Sequence, residues 1–251
     1  MDWMLEATAR AEDRHFWFRG LRRNARFLLE EAVGDRRNLR ILDCGSGTGR
    51  NLDWLSEFGL AVGVEQSLVG LRVGRERGRR LVRGSVTRLP VGDASMDVAT
   101  SFDVLYCLDD ESERQAAREM WRVLRPGGIA LVNAAALDLL QGSHSALTME
   151  RRRYTPKRLA AVLTGAGFSV QRMTFTNTAA FPLTLAVRLK DRLMGKVSEA
   201  SDADLQVPAA PINALLSGAV ALDGALLRVM NLPIGSSLMC VATKTSGAPD
   251  L

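Results

Sequence analysis

Cysteine is scarce in this sequence. The three present, Cys44, Cys107 and Cys240, lie far apart and form no C-x-x-C pair or metal-type spacing, which excludes a disulfide scaffold and leaves a zinc site without ligands. A reducing compartment follows, and no metal is expected. Long apolar runs are absent as well: none reaches the length of a bilayer span, so no integral membrane segment is expected. Met1 to Phe18 is acidic and aromatic and has no basic region followed by an apolar core. It is not read as a secretory signal, and the expected location is cytoplasmic. Internal repeats and low-complexity segments are missing, and histidine is limited to His15 and His144.

What is there is ordinary in bulk. Apolar content of 47% and charged content of 24% are globular values, and 251 residues suffice for one α/β domain with extensions. The net charge of +5 rests on arginine more than lysine, with clusters at Arg75 to Arg83 and Arg151 to Arg153. Such a balance suits nucleic acid, an acidic membrane surface or an anionic substrate. Dispersed charge of this size reads first as a solvated surface, so a nucleic-acid partner is not expected.

The chain is organised around residues 39–55, LRILDCGSGTGRNLDWL. An apolar run ends at Asp43, glycines follow at Gly45, Gly47 and Gly49, and helical spacing resumes with Leu52 and Leu55: a strand, a tight glycine turn and a helix start. Glycine there lets bare backbone approach a ligand. The dinucleotide fingerprint spaces its glycines G-x-G-x-x-G and favours a pyrophosphate, whereas here the spacing is G-x-G-x-G. A second strand, 60–65, ends at Glu65, 22 residues after Asp43, where a carboxylate can accept both hydroxyls of a ribose.

Periodicity places one or two amphipathic helices over 3–33, helices at 50–58, 67–80, 111–124 and 155–165, and strands at 81–83, 95–103, 129–133, 169–175 and 237–243. Arg125-Pro126-Gly127-Gly128 reads as a tight turn from helix to strand, and Thr155-Pro156 as a helix start. The stretch 178–234 is an insertion with two apolar helical segments, 180–194 and 211–230, whose leucines and valines need a cover: the sheet, each other, a partner or a lipid-like acceptor.

The glycine motif, the acid at Glu65, the strand ending Ser101-Phe102-Asp103 and the string Trp121-Arg-Val-Leu-Arg-Pro-Gly-Gly occur in the order found in class I S-adenosylmethionine-dependent methyltransferases, which the chain resembles from Leu39 to about Phe175 and again at the final strand. The resemblance implies an α/β fold: a Rossmann-like seven-stranded mixed sheet with helices on both faces, only strand seven antiparallel, an N-terminal helical lid and a helical insertion before the last strand. The implied units are a lid at 1–37, a cofactor-binding core at 38–176, an insertion at 177–235 and the last strand with its tail at 236–251. The implied cofactor is S-adenosyl-L-methionine, with S-adenosyl-L-homocysteine as product. The residues implied to hold it are Asp43, Gly45, Ser46, Gly47, Gly49, Glu65, Gln66, Ser85, Val86, Ser101 and Phe102. The family usually has an acid where this chain has Ser85, which makes adenine contacts more dependent on backbone. A leader of His followed by aromatics and basic residues, here His15-Phe16-Trp17-Phe18-Arg19 with Arg22 and Arg23, resembles the lid of some bacterial members, so His15, Trp17 and Arg22 join the cofactor set. Tyr106-Cys107-Leu108 stands where many members have Glu-His-Leu, and this removes an imidazole.

For a hydroxyl acceptor the candidate base is His144, on the loop leaving strand five, with Tyr106, Asp109 and Tyr154 shaping the pocket. A carboxylate acceptor needs no base and would be drawn by Arg151 to Arg153. Three functions fit: a methyltransferase acting on a hydroxyl, carboxyl or amine of an apolar or anionic small molecule such as a secondary metabolite, glycan or lipid precursor; an RNA or nucleotide methyltransferase; and a non-catalytic cofactor-binding partner subunit. Pairing of two copies into a homodimer is one use for the apolar insertion.

Overall fold

A computed structural model describes residues 2–138, 150–179, 181, 182, 185, 186 and 206–245. Two helices lead, α1 (Asp2–Ala11) and α2 (Phe16–Val33). Then come β1 (Leu39–Cys44), α3 (Leu52–Leu55), β2 (Gly59–Glu65), α4 (Leu68–Glu76), β3 (Leu81–Arg83) and β4 (Met96–Phe102). A 3-10 turn at Leu105–Cys107 leads to α5 (Asp110–Val123), β5 (Leu124–Ala135), α6 (Pro156–Gly165), β6 (Phe168–Thr176), α7 (Ala210–Leu226) and β7 (Ser237–Lys244).

The seven strands form one sheet in the order β3-β2-β1-β4-β5-β7-β6. β1 to β5 pair in parallel, and β7 runs antiparallel to both β5 and β6. Because strand side chains alternate, the sheet feeds two cores. Ile41, Val98, Leu131 and Val241 face the apolar stripe of α2 formed by Leu21, Ala25, Leu28, Leu29 and Val33. Leu42, Ala99 and Val132 face Ala116, Met120 and Val123 of α5 and Leu159 and Leu163 of α6. Each of these leucines, fully buried, contributes about 1.5–3 kcal/mol. α2 is therefore one layer of the fold, and α1 with the turn after it lies outside that layer.

Several element ends differ from the periodicity. Residues 50–58 hold only the short α3, since the glycine turn reaches Asn51 and Gly59 already opens β2 opposite Leu39. α4 is trimmed at both ends: the Ser67 hydroxyl caps its first turn, and Gly78, at φ +72°, follows its close. β5 starts directly at Leu124, paired with Met96, so Pro126-Gly127-Gly128 is an irregularity inside the strand rather than a separate turn. The second apolar segment of the insertion is α7; most of 180–194, including Leu183, Val187 and Leu189, lies outside the described residues.

Candidate active site

Parallel strands bring their carboxyl ends to one edge, and the glycine turn crosses that edge. Gly45 sits at φ +77° with its amide on the Val64 carbonyl at 2.8 Å, and a Cβ there would lie 2.6 Å from Val104 Cγ2. Gly47, at φ +56°, donates its amide to Glu65 Oε2 at 2.7 Å. The turn is backed by α4, whose Gly70 and Gly74 let the helix dock on it: a Cβ would come within 2.6 Å of the Gly47 carbonyl at one and 2.7 Å of the Thr48 carbonyl at the other. These two glycines one helical turn apart were legible as a close-packing pair, yet sequence reasoning passed over them.

Two carboxylates close the floor. Glu65, buried, accepts from the amides of Gly47 and Ser67, both at 2.7 Å, which fixes its oxygens beside the turn. Asp43 is fully enclosed; its Oδ1 accepts from Thr100 Oγ1 at 2.7 Å, and its Oδ2 has no partner. Burial pushes the Asp43 carboxyl up to about 7, with the Thr100 hydrogen bond opposing and the Glu65 charge assisting. Ser46 Oγ is likewise buried without a partner and turned toward Gly63. Two acids beside the turn repel a phosphate and suit a cation or a sugar diol.

The remaining predicted cofactor residues are dispersed around this floor. Gln66 is exposed beyond Glu65, while Ser85 and Val86 are half-buried in a turn tied by Ser85 Oγ to Thr87 Oγ1 at 2.8 Å. Ser101 and Phe102 are buried at the end of β4, and the Phe102 ring packs on Trp54.

The N-terminal arm meets the glycine turn, but mainly through residues the leader motif does not contain. Glu12, 3% exposed, accepts from Thr48 Oγ1 at 2.7 Å and from Arg77 Nη1 at 2.9 Å. Asp13 accepts from Arg50 Nε at 2.5 Å, and Leu5 lies over Gly47, 3.3 Å from where its Cβ would be. His15 caps α2, with Nδ1 accepting from the Trp17 amide at 3.1 Å, and Trp17 is half-buried. Arg22 donates to the Glu12 carbonyl at 2.6 Å; burial, with the Arg50 charge adding, lowers it to about 10.

At the ends of β4 and β5 stands a group the sequence reading missed. Asp103 has a left-handed backbone, φ +61°, which strains a residue with a side chain. It is held by Asn133 twice: its amide donates to the Asn133 carbonyl at 3.0 Å, and Asn133 Nδ2 donates to Asp103 Oδ1 at 2.8 Å. Asn133 is fully buried and its own Oδ1 is unpartnered. The signal was the pairing of two strand ends, Phe102 with Asn133, which needs the register to be seen.

Beside this pair a strap, 150–154, crosses the end of β5. The Arg151 amide donates to the Tyr106 carbonyl at 2.9 Å, and the Tyr154 amide to the Ala135 carbonyl at 2.8 Å. Tyr154, fully buried, donates its hydroxyl to Glu113, which also receives Arg152 and Arg158 at 3.1 Å each. Arg153 pairs with Glu150. Two of the three arginines expected to attract an anion are thus neutralised by buried carboxylates. Burial pushes the Tyr106 phenol well above its ordinary range, so near neutrality it stays protonated and is no base. Asp109 caps α5 through the Ser112 amide at 2.8 Å, and His144 lies outside the described residues. Among the described residues no cluster of metal-ligating side chains occurs, and no helix is long and apolar enough to cross a membrane.

Comparison with known proteins shows what this geometry is similar to. Residues 42–132 match the methyltransferase domain family. A demethylmenaquinone methyltransferase of Renibacterium salmoninarum is 35% identical over 117 residues, 45% of this chain and 48% of that protein. The chain thus spans about half the length of the curated relatives it matches. Among solved structures, the 1,6-didemethyltoxoflavin-N1-methyltransferase of Burkholderia thailandensis superposes with a TM-score of 0.55 at 18% identity, covering 90% of this chain and 78% of that one. The [4+2]-cyclase SpnF gives 0.55 at 22%, covering 88% and 80%. At such identities the superpositions establish fold alone, and the cyclase marks how little fold says of reaction. The matched segment, the strand order and the glycine turn together make this chain similar to the class I S-adenosylmethionine-dependent methyltransferases, whose fold it has.

Proposed function

We propose that the chain transfers a methyl group from S-adenosylmethionine to a small molecule entering at the carboxyl ends of β4 and β5, releasing S-adenosylhomocysteine. The observation that carries this reading is the acidic floor. Glu65, fixed by two amides, presents acceptors for a ribose diol, and Asp43 keeps an unpartnered Oδ2 suited to an ammonium. A phosphate-bearing dinucleotide would meet both charges. The cofactor supplies a methyl already activated on a sulfonium. The chain's part is therefore to orient the acceptor and exclude water, effects together worth on the order of 7–11 kcal/mol. Leu5 and the Glu12 contacts cover the glycine turn, and the strap closes the far side.

Asp103 is the acceptor-facing carboxylate in this proposal. Its strained backbone and Asn133 support hold it at the end of β4, where it can accept the proton of a hydroxyl or anchor an amine. An aromatic or enolic acceptor is favoured over a carboxylate, because Arg152 and Arg153 are already paired and because the Renibacterium relative carries its methyl to demethylmenaquinone. RNA is disfavoured by the same pairing of basic residues. The test is incubation with methyl-labelled S-adenosylmethionine and a panel of a reduced naphthoquinone, a catechol, an aromatic amine, an aliphatic carboxylic acid and bulk RNA. Labelled product from one of the first three, with stoichiometric S-adenosylhomocysteine, supports the reading. Label on RNA alone, or no binding of S-adenosylhomocysteine by calorimetry, would sink it.

A further inference from the structure

α2 and α7 lie side by side and run the same way, fastened at one end. Asn213 accepts from the Phe16 amide at 3.0 Å and donates to the Arg14 carbonyl at 2.9 Å, and Val220 fills a notch at Gly20, where a Cβ would lie 2.1 Å from Val220 Cγ1. Beyond that contact α7 offers only Ala221, Gly224 and Ala225, and a groove of about 420 Å³ opens between the helices. That volume is within the range of small-molecule sites. The other wall is α2, with Arg23, Arg26, Phe27 and Glu30, and Arg228, just past α7, completes the lining. Arg26 also reaches Glu57, just before β2 opens at Gly59, so the groove lies toward the amino-terminal edge of the sheet, apart from the glycine turn.

The charges in the groove are unevenly matched. Arg26 is satisfied: its Nε donates to Glu30 at 2.9 Å and its two terminal nitrogens donate to Glu57 at 2.8 and 2.7 Å. Arg23 and Arg228 have no such partner. The Arg23 stem lies along Gly224, with Cδ 3.4 Å from where a Cβ would be, and among the described residues its guanidinium makes no hydrogen bond or ion pair. Arg228 sits over the Phe27 ring, 5.1 Å from its centre, and among the described residues its side-chain N–H groups find no acceptor. A ring contact of this kind holds a guanidinium by its face and leaves its donors unused. Asp223, the one acid of α7, does not line the groove: it is buried and accepts from the Ala179 amide at 3.1 Å. Two unengaged guanidinium forks above a floor of alanine and glycine suit an oxyanion carrying a small apolar body. A carboxylate fills one fork, whereas a phosphate monoester has three peripheral oxygens and a charge of about −1.5 to −2 near neutrality. We propose that this groove is a second ligand site, which binds a phosphate monoester. The proposal does not rest on the reaction proposed above.

The probes are phenyl phosphate and benzoate, titrated into the full chain by calorimetry at fixed ionic strength. Phenyl phosphate is expected to bind at one site, at least ~10-fold more tightly than benzoate. Arg23→Ala and Arg228→Ala should each weaken it ~10-fold or more, since each removes a charge-assisted fork. Arg228→Lys keeps the charge without the planar fork and should recover only part of the loss. Ala225→Leu, which fills the groove and alters no charge, should weaken binding as strongly. Arg75→Ala, which removes an exposed arginine of α4, should leave it within about twofold. Circular dichroism and the thermal midpoint verify that each variant folds. Vesicles containing phosphatidic acid separate two sources of the same group. Co-sedimentation that phenyl phosphate displaces and Arg228→Ala abolishes assigns the site to a lipid head group, and phenyl phosphate binding without co-sedimentation assigns it to a soluble ester. No saturable binding of phenyl phosphate, equal affinity for benzoate, or binding that survives the two arginine-to-alanine variants or a folded Ala225→Leu overturns the proposal.

Discussion

The two halves of the site are built differently. On the proposed cofactor side, main chain shapes the cradle: three left-handed glycines, amides on Glu65, and a helix pressed close through Gly70 and Gly74. On the acceptor side, side chains distant in sequence hold one another: Asp103 with Asn133, Tyr154 with Glu113, Arg153 with Glu150. A backbone cradle tolerates few substitutions and accepts one ligand shape. A wall of paired side chains can be rebuilt residue by residue, which lets one domain serve many acceptors.

The sharpest way to break this contrast is at Glu65. Glu65→Ala removes the acceptor for the Gly47 and Ser67 amides as well as the proposed sugar contact, and calorimetry should show S-adenosylhomocysteine affinity down at least ~100-fold. On the other side, Asp103→Asn should leave that affinity within about threefold while turnover of the accepted panel member falls ~10²–10⁴-fold. If both variants lost cofactor equally, the division into two halves would be wrong.

Proton linkage sharpens the comparison further. Asp43 titrates near 7 in the folded protein, above the ~3.9 of an unfolded chain, so the native state holds its proton more tightly. Its contribution to stability is therefore present below ~4 and lost as pH rises toward 7. An ammonium at Oδ2 favours the ionised acid, so S-adenosylhomocysteine should bind more tightly at pH 8 than at pH 6 and release a proton on binding, seen as a buffer-dependent enthalpy. Asp43→Asn should flatten that part of the profile. The smallest effect belongs to Glu12→Gln, which keeps the shape but weakens the contacts to Thr48 and Arg77. Stopped-flow release of S-adenosylhomocysteine should quicken about two- to fivefold, with the thermal midpoint nearly unchanged.

The same contrast sets what could be read from the sequence. Strand ends, the glycine turn and the acid at Glu65 are local patterns, and the seven-strand order follows once the family resemblance is seen. Periodicity also placed α5, α6 and β7 within a residue or two. What stayed hidden is long-range: that Glu12 rather than His15 ties the arm to Thr48, and that Arg152 and Arg153 are neutralised across the strap. Asp103 was written as the last residue of a strand because a left-handed conformation is uncommon even for aspartate and an apolar run just before it reads as strand. The leader motif directed attention to His15 and the aromatics after it, and in the fold His15 also caps α2 and stacks on Phe16.

Among the described residues β6 pairs with β7 and with no other strand, while β7 fills the gap beside β5. During synthesis β6 accordingly leaves the ribosome about sixty residues before its only neighbour, as the numbering of the two strands dictates. Until Ser237–Lys244 arrives, β5 is an open parallel edge. Closure of this sheet is a late, long-range event, and damage near residue 240 should show first as poor yield of folded protein rather than as altered chemistry.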